Sequence, residues 1–189
     1  LGYYARARGA SGGSAAALSA GLSALEAGYD ICSSIRNPAH FCGVYGHKPT
    51  YGLVPMRGHE LLAGLPEGDL AVCGPLARSP ADLRLALSIM AGPAQRQAKG
   101  WQLSLRPASK ERLSDYKVVI WATDSAAPVA EEVSARALEV GAQLKVSGAT
   151  VFYTARPKFD VVAAHENYQT LLNAAMTLGM DLEEVSRMQ

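Results

Sequence analysis

Residues 28–55, GYDICSSIRNPAHFCGVYGHKPTYGLVP, constrain this chain more than any other part of it. Gly, Pro, Cys, Asn and aromatic residues follow one another with no helical or strand period lasting more than a few positions. The stretch is nevertheless apolar, so it belongs in an interior. There, each backbone N–H and C=O must find a partner without a regular ladder. Segments of this kind usually build a site.

The rest of the chain can surround such a segment with a core. A 189-residue chain with 49% hydrophobic and 19% charged residues reads as one globular domain. Folding removes roughly 70% of the unfolded surface at this length, so neither disulfides nor a metal is needed as a staple. Lys+Arg 18 against Asp+Glu 17 leaves a charge of +1. With no basic face, nucleic acid and anionic membrane are not expected partners. No apolar run approaches the roughly 20 residues of a bilayer span. Cys32, Cys42 and Cys73 form an odd set with no CxxC and no metal-ligand spacing. Reduced thiols in a cytoplasm fit that pattern, with no metal and no cofactor. The chain opens at Leu1 without a signal-peptide pattern, which suggests a processed protein or an excerpt of a longer one.

Regular elements flank the irregular stretch. Ser14 to about Ala27 reads as a mostly buried helix, with Ser14 as N-cap and Leu18, Leu22 and Leu25 on one stripe. Ser79-Pro80-Ala81-Asp82 starts a second helix that carries Leu83, Leu87 and Met90 and stops at Gly92-Pro93. Lys117–Asp124 has the unbroken apolar run of a buried strand. A helix from about Pro128 follows, with Val129, Val133, Ala137, Val140 and Leu144 on one face, and then a strand at Thr150–Thr154. Strand, helix, strand predicts a βαβ unit with parallel strands. A last helix from Asp160 aligns Val161, Ala164, Tyr168, Leu171, Ala175 and Leu178. The fold class is therefore α/β. The expected organisation is a single domain over 1–189, with a motif-bearing core at 1–93, a surface excursion at 94–116, and the βαβ unit plus terminal helix at 117–189.

Three blocks carry the chemistry: Gly9-Ala10-Ser11-Gly12-Gly13-Ser14, then Asp30-Ile31-Cys32-Ser33-Ser34-Ile35-Arg36-Asn37-Pro38-Ala39, then Phe41-Cys42-Gly43-Val44-Tyr45-Gly46-His47-Lys48-Pro49-Thr50-Tyr51-Gly52. A Gly/Ser loop opening a helix offers unpaired amides to an anion, or is simply a tight turn. It lacks the Gly-Lys-Ser/Thr of a phosphate-cradling loop.

In this order and spacing the blocks resemble the amidase signature family of serine hydrolases. The resemblance is dense over the first half, continues through Gly74-Pro75-Leu76-Ala77-Arg78-Ser79, and is only general beyond. It implies a mixed twisted sheet with helices on both faces, present here incompletely. It also implies a Ser–cis-Ser–Lys mechanism that cleaves carboxylic amides through an acyl-enzyme. Ser34 matches the nucleophile, and the amides of Ile31, Cys32, Ser33 and Ser34 match the oxyanion loop. Asp30 and Arg36 match positions that brace this loop by a charge pair.

The chain also departs from the family pattern. The relay serine lies 24 positions before the nucleophile, which is Ala10 here, so Ser11 could serve only through a local shift. The family's catalytic lysine lies upstream of the Gly/Ser segment, and the first lysine in this sequence is Lys48. Cys32 and Ser33 stand where the family usually has Gly-Gly, and Arg8 where it has Gly. If either loop position requires φ > 0, a side chain there costs about 1–3 kcal/mol. Loss of the relay leaves only oxyanion and binding contributions, so this chain is expected to be inactive or severely impaired.

His40, His47 and His59 lie near enough in sequence to be considered as a replacement base, although packing is their ordinary role. Cys32 is weighed as an alternative nucleophile against an inert thiol, and His165 as structural. The resemblance implies a small-molecule amide substrate, with a non-catalytic amidase-like binding module or a subunit of a transamidating complex as alternatives. A chain shorter than its family at both ends is further expected to self-associate through exposed edges.

Overall fold

The computed structural model describes residues 9–58, 69–177 and 180. Arg8, His59 and Leu178 lie outside them. The chain divides into two compact units, Leu1–Ser104 with Gln169–Gln189, and Leu105–Tyr168.

In the first unit, α1 (Gly12–Ser19) leads to β1 (Leu25–Asp30), α2 (Arg36–Cys42), β2 (Tyr45–Gly46), β3 (Val72–Ala77) and α3 (Pro80–Met90). The three strands form an antiparallel sheet in the order β1-β3-β2, with Gly28 opposite Gly74 and Tyr45 opposite Ala77. All six residues of β3 are buried. Alternation along this strand sends successive side chains to opposite faces. Leu76 joins Ala15, Leu18, Ile35, Ala39 and Cys42 beneath α1 and α2. Cys73 joins Val54, Met56 and Ala71, against which Leu87 and Met90 of α3 pack. The sheet is thus covered by helices on both faces, as expected.

Gly28 makes the first of these layers possible. A Cβ on Gly28 would lie 2.5 Å from Ser11 Oγ, 2.8 Å from Leu76 Cδ1 and 2.9 Å from Ile35 Cγ1. Only a bare backbone lets the Ser11 turn and Ile35 approach the strand this closely.

The helix expected over Ser14–Ala27 is shorter and starts earlier. It begins at Gly12 after Ser11 and ends at Ser19, because Gly21 turns left-handed at φ 75. The amides of Gly21 and Leu22 close on the carbonyls of Leu18 and Ala17, a helix-terminating arrangement. Leu22 is 82% exposed, and Leu25 belongs to β1. Arg78 then donates to the carbonyls of Leu18 (3.1 Å) and Ser23 (2.5 Å), placing a cation at the negative end of α1. The start of α3 follows expectation, with the Ser79 hydroxyl accepting from the Asp82 amide at 3.1 Å.

The second unit contains β4 (Lys117–Val119), α4 (Glu131–Val146), β5 (Thr150–Phe152) and the start of α5 (Val161–Met176). β4 and β5 pair in parallel, with Val118 opposite Val151, so the βαβ unit forms. Two details differ from the sequence reading. The strand is three residues long and not buried, with Val119 at 47% and Trp121 at 36% exposure. The face of α4 turned inward runs through Ser134, Ala137, Gly141 and Leu144, while Val133 and Val140 are exposed. Gly141 decides this rotation: a Cβ there would meet Ile120 Cγ1 at 2.8 Å and the Tyr153 ring at 3.0 Å, so the glycine is where the backbone comes closest.

Candidate active site

β1 delivers Asp30 to its C-terminal end, fully buried at 0% exposure. A lone buried carboxylate would be costly, so the chain wraps around it. Asp30 Oδ1 accepts from the Ser33 amide at 2.8 Å, and Oδ2 accepts from the amides of Ile35 (3.1 Å) and Arg36 (3.3 Å). The Arg36 guanidinium adds a bidentate pair, with Nε on Oδ2 and Nη2 on Oδ1, both at 3.0 Å. Burial pushes the carboxyl pKa up, but the hydrogen bonds and charge from Arg36 and the Ile35 amide outweigh it and hold it below its ordinary value. The Asp30–Arg36 pairing expected from sequence is therefore present, and it closes the loop 31–35 into a tight cup.

That closure sets the backbone inside the cup. Ser33 is held at φ 72, left-handed and rare for a residue with a side chain. Cys32 is not, so of the two positions where glycine is usual in the family only Ser33 carries the strain. The Cys32 thiol is free and exposed. The amide of Ser33 is committed to Asp30, whereas the amides of Cys32 and Ser34 donate to no described residue. Ile31 packs against the cluster of Val54, Met56, Ala71 and Cys73 and anchors the cup to the core.

Ser34 lies half-buried two residues before α2, and its hydroxyl makes no hydrogen bond to a described residue. The Gly/Ser turn is in contact with it. Gly9, at φ 133, is so close that a Cβ there would be 3.0 Å from Ser34 Cα and 3.3 Å from Pro38 Cδ. Two of the three sequence blocks thus meet at Ser34. The third meets the sheet nearby, where the His47 amide donates to Pro75 O at 3.0 Å.

The relay positions are clear in outline. Ala10 is exposed in the turn and has no hydroxyl to offer. Ser11 is 4% exposed; its hydroxyl accepts from the Tyr29 amide at 3.1 Å and donates to the Tyr29 carbonyl at 3.4 Å. It pins the turn to β1. His40 is exposed on α2 with its ring edge-on to Phe41 at 5.4 Å, and His47 is exposed. His165 lies in α5 beside Tyr168. Among the described residues, no three His, Cys, Asp or Glu side chains gather as metal ligands, and no helix is long and apolar enough to cross a membrane. Burial raises the Cys42 thiol above its ordinary pKa. Sequence reasoning held no expectation that Gly9 would be the residue packed against Ser34, although its place in the Gly/Ser block was the available signal.

An α/β fold with a carboxylate-braced, amide-lined serine loop is the class defined by these elements. Residues 6–187 match the family model described as Amidase, and the chain belongs to that family, the amidase signature proteins. It is 40% identical over 156 residues to a glutamyl-tRNA(Gln) amidotransferase subunit from Thermus thermophilus, covering 79% of this chain and 32% of that protein. The corresponding protein of Campylobacter fetus is 36% identical over 158 residues, covering 82% and 34%. Among solved structures, the same amidotransferase subunit from Thermotoga maritima superposes with TM-score 0.66 at 30% identity, covering 95% of this chain and 40% of that one. A fatty acid amide hydrolase superposes with TM-score 0.70 at 26% identity, covering 89% and 30%. The chain spans about a third of the length of the curated relatives it matches.

Proposed function

We propose that this chain carries the nucleophile loop of a serine amidase, with Ser34 as the attacking residue and the cup 31–34 as its oxyanion site. Ser34 Oγ would add to an amide carbonyl, and the open amides of Cys32 and Ser34 would receive the developing negative charge. Ile31 and Ser33 complete the loop, Ile31 through the core and Ser33 through Asp30. Collapse of the tetrahedral species breaks the C–N bond, releases ammonia or an amine with its proton, and leaves an acyl-Ser34 that water hydrolyses to the acid. Asp30 and Arg36 position the loop and touch no reacting atom. The observation that carries this reading is the meeting of Gly9 with Ser34 beside two amides that no described residue engages.

The proton path is where this chain falls short. Position 10 is an alanine, and the neighbouring Ser11 hydroxyl is occupied by Tyr29. Without a relay hydroxyl, Ser34 is a weak nucleophile at neutral pH, and activity several orders of magnitude below that of an intact site is expected. The test is labelling by a fluorophosphonate probe: an adduct lost in Ser34→Ala supports the hydrolase reading, whereas a folded, unlabelled chain supports a non-catalytic amidase-like module.

The names of the curated relatives favour a second, finer reading, in which the amide nitrogen released at Ser34 passes to an acceptor and the chain works within a transamidating assembly. Either reading uses a small amide donor. Val119, Val140 and Phe152 are each more than 40% exposed on the second unit, and we expect a second copy or a partner protein to cover such residues.

A further inference from the structure

A cavity of about 490 Å³ opens in the first unit between residues 52–57 and 92–101, segments joined by the Gly92 amide on the Leu53 carbonyl at 2.9 Å. It shares no lining residue with the cup around Ser34. Arg57, Arg96, Gln97 and Trp101 are among the residues that line it, and among the described residues no Asp or Glu does. None of these four side chains pairs with another described residue. Val54 and Pro55 supply an apolar floor. Trp101 remains 44% exposed, so much of this large aromatic residue is open to a ligand.

This combination selects a ligand by its chemistry. Two arginines with no opposing acid favour an oxyanion, a carboxylate or a phosphate, that can accept paired N–H bonds. The volume falls in the roughly 300–1,000 Å³ range of small-molecule sites, well beyond what a bare inorganic ion fills. An indole beside cationic groups stacks on a flat ring. The geometry points to a binding site for an organic anion with a planar body, its phosphate or carboxylate held by Arg57 and Arg96 and its ring laid on Trp101.

Calorimetric titration of the 189-residue chain with adenosine monophosphate, 2-naphthoate, inorganic phosphate and adenosine tests this. Saturable one-site binding of adenosine monophosphate or 2-naphthoate is expected, and whichever binds more tightly identifies a phosphate ester or a carboxylate as the anionic group. The double variant Arg57→Ala/Arg96→Ala should weaken that binding by about tenfold or more, and Trp101→Ala by about fivefold. Arg96→Gln alone carries the test should the double variant not fold. Phosphate or adenosine binding as tightly as adenosine monophosphate, affinity unchanged in the variants, or no binding of either organic anion would each overturn the assignment. None of these outcomes depends on Ser34, so labelling of that residue succeeds or fails separately.

Discussion

Asp30 accepts both forks of the Arg36 guanidinium at 3.0 Å while also receiving the amides of Ser33, Ile35 and Arg36 itself. The two partners differ in burial: the Asp30 side chain is 0% exposed and that of Arg36 51%. This asymmetry fixes how each substitution acts. Asp30→Asn turns an amide group toward donors and leaves several unsatisfied, so a loss of about 3 kcal/mol is expected. Arg36→Ala leaves a carboxylate still held by three amides and newly reachable by water, so about 1 kcal/mol is expected. Urea unfolding of both variants checks the order, which fails if Arg36→Ala is the costlier change.

The same carboxylate makes stability depend on pH. Its folded pKa lies below its unfolded value, so the folded state is favoured while Asp30 is ionised. That contribution is fully present above the unfolded value of about 3.9 and is lost as pH falls below it toward the folded value. Unfolding free energies measured at pH 6, 4 and 3 should drop steeply over the last interval. The Asp30→Asn variant should show a shallower fall, and equal slopes in the two proteins would exclude Asp30 as a source.

Ser33 at φ 72 carries strain that glycine would not. Ser33→Gly should gain about 0.5–1 kcal/mol, the relief of left-handed strain outweighing the extra freedom of glycine in the unfolded chain. Cys32→Gly, at a position without positive φ, should give no gain. Thermal melts of the two variants separate these effects, and a Ser33→Gly chain that melts lower contradicts the strained cup.

Ser11 tests the relay. With its hydroxyl bridging the Tyr29 amide and carbonyl in a buried turn, Ser11→Ala should cost about 1–2 kcal/mol of stability. It should leave the rate of fluorophosphonate labelling unchanged. A fall of about tenfold or more in that rate, with the fold intact, would instead assign Ser11 to proton transfer.

Much of this was legible in the residues. The three blocks carried the family resemblance, the Ser79 cap and the βαβ unit followed from local rules, and the Asp30–Arg36 pair followed from that resemblance. The failures share a cause. Leu22 and Leu25 continue a helical period past Gly21, but that glycine's left-handed turn ends the helix and hands Leu25 to β1. Val133 and Val140 form an apolar stripe, yet Gly141 is the point of closest approach to Tyr153, so backbone contact and not side-chain apolarity sets the rotation of α4. Periodicity reports which residues could be buried; where glycine permits contact, the backbone decides which of them are. The left-handed Ser33 was legible only as a conditional cost, because closure by Asp30 imposes it from outside the loop.

Fluorophosphonate labelling followed by peptide mapping tests the role of Ser34 most directly. The expected result is a single adduct on Ser34, formed at least about a hundredfold more slowly than on a full-length amidase of the family, and absent in Ser34→Ala. An adduct on any other residue, a rate equal to that of the full-length enzyme, or a folded chain that never labels would contradict an amidase nucleophile whose proton relay is interrupted at Ala10.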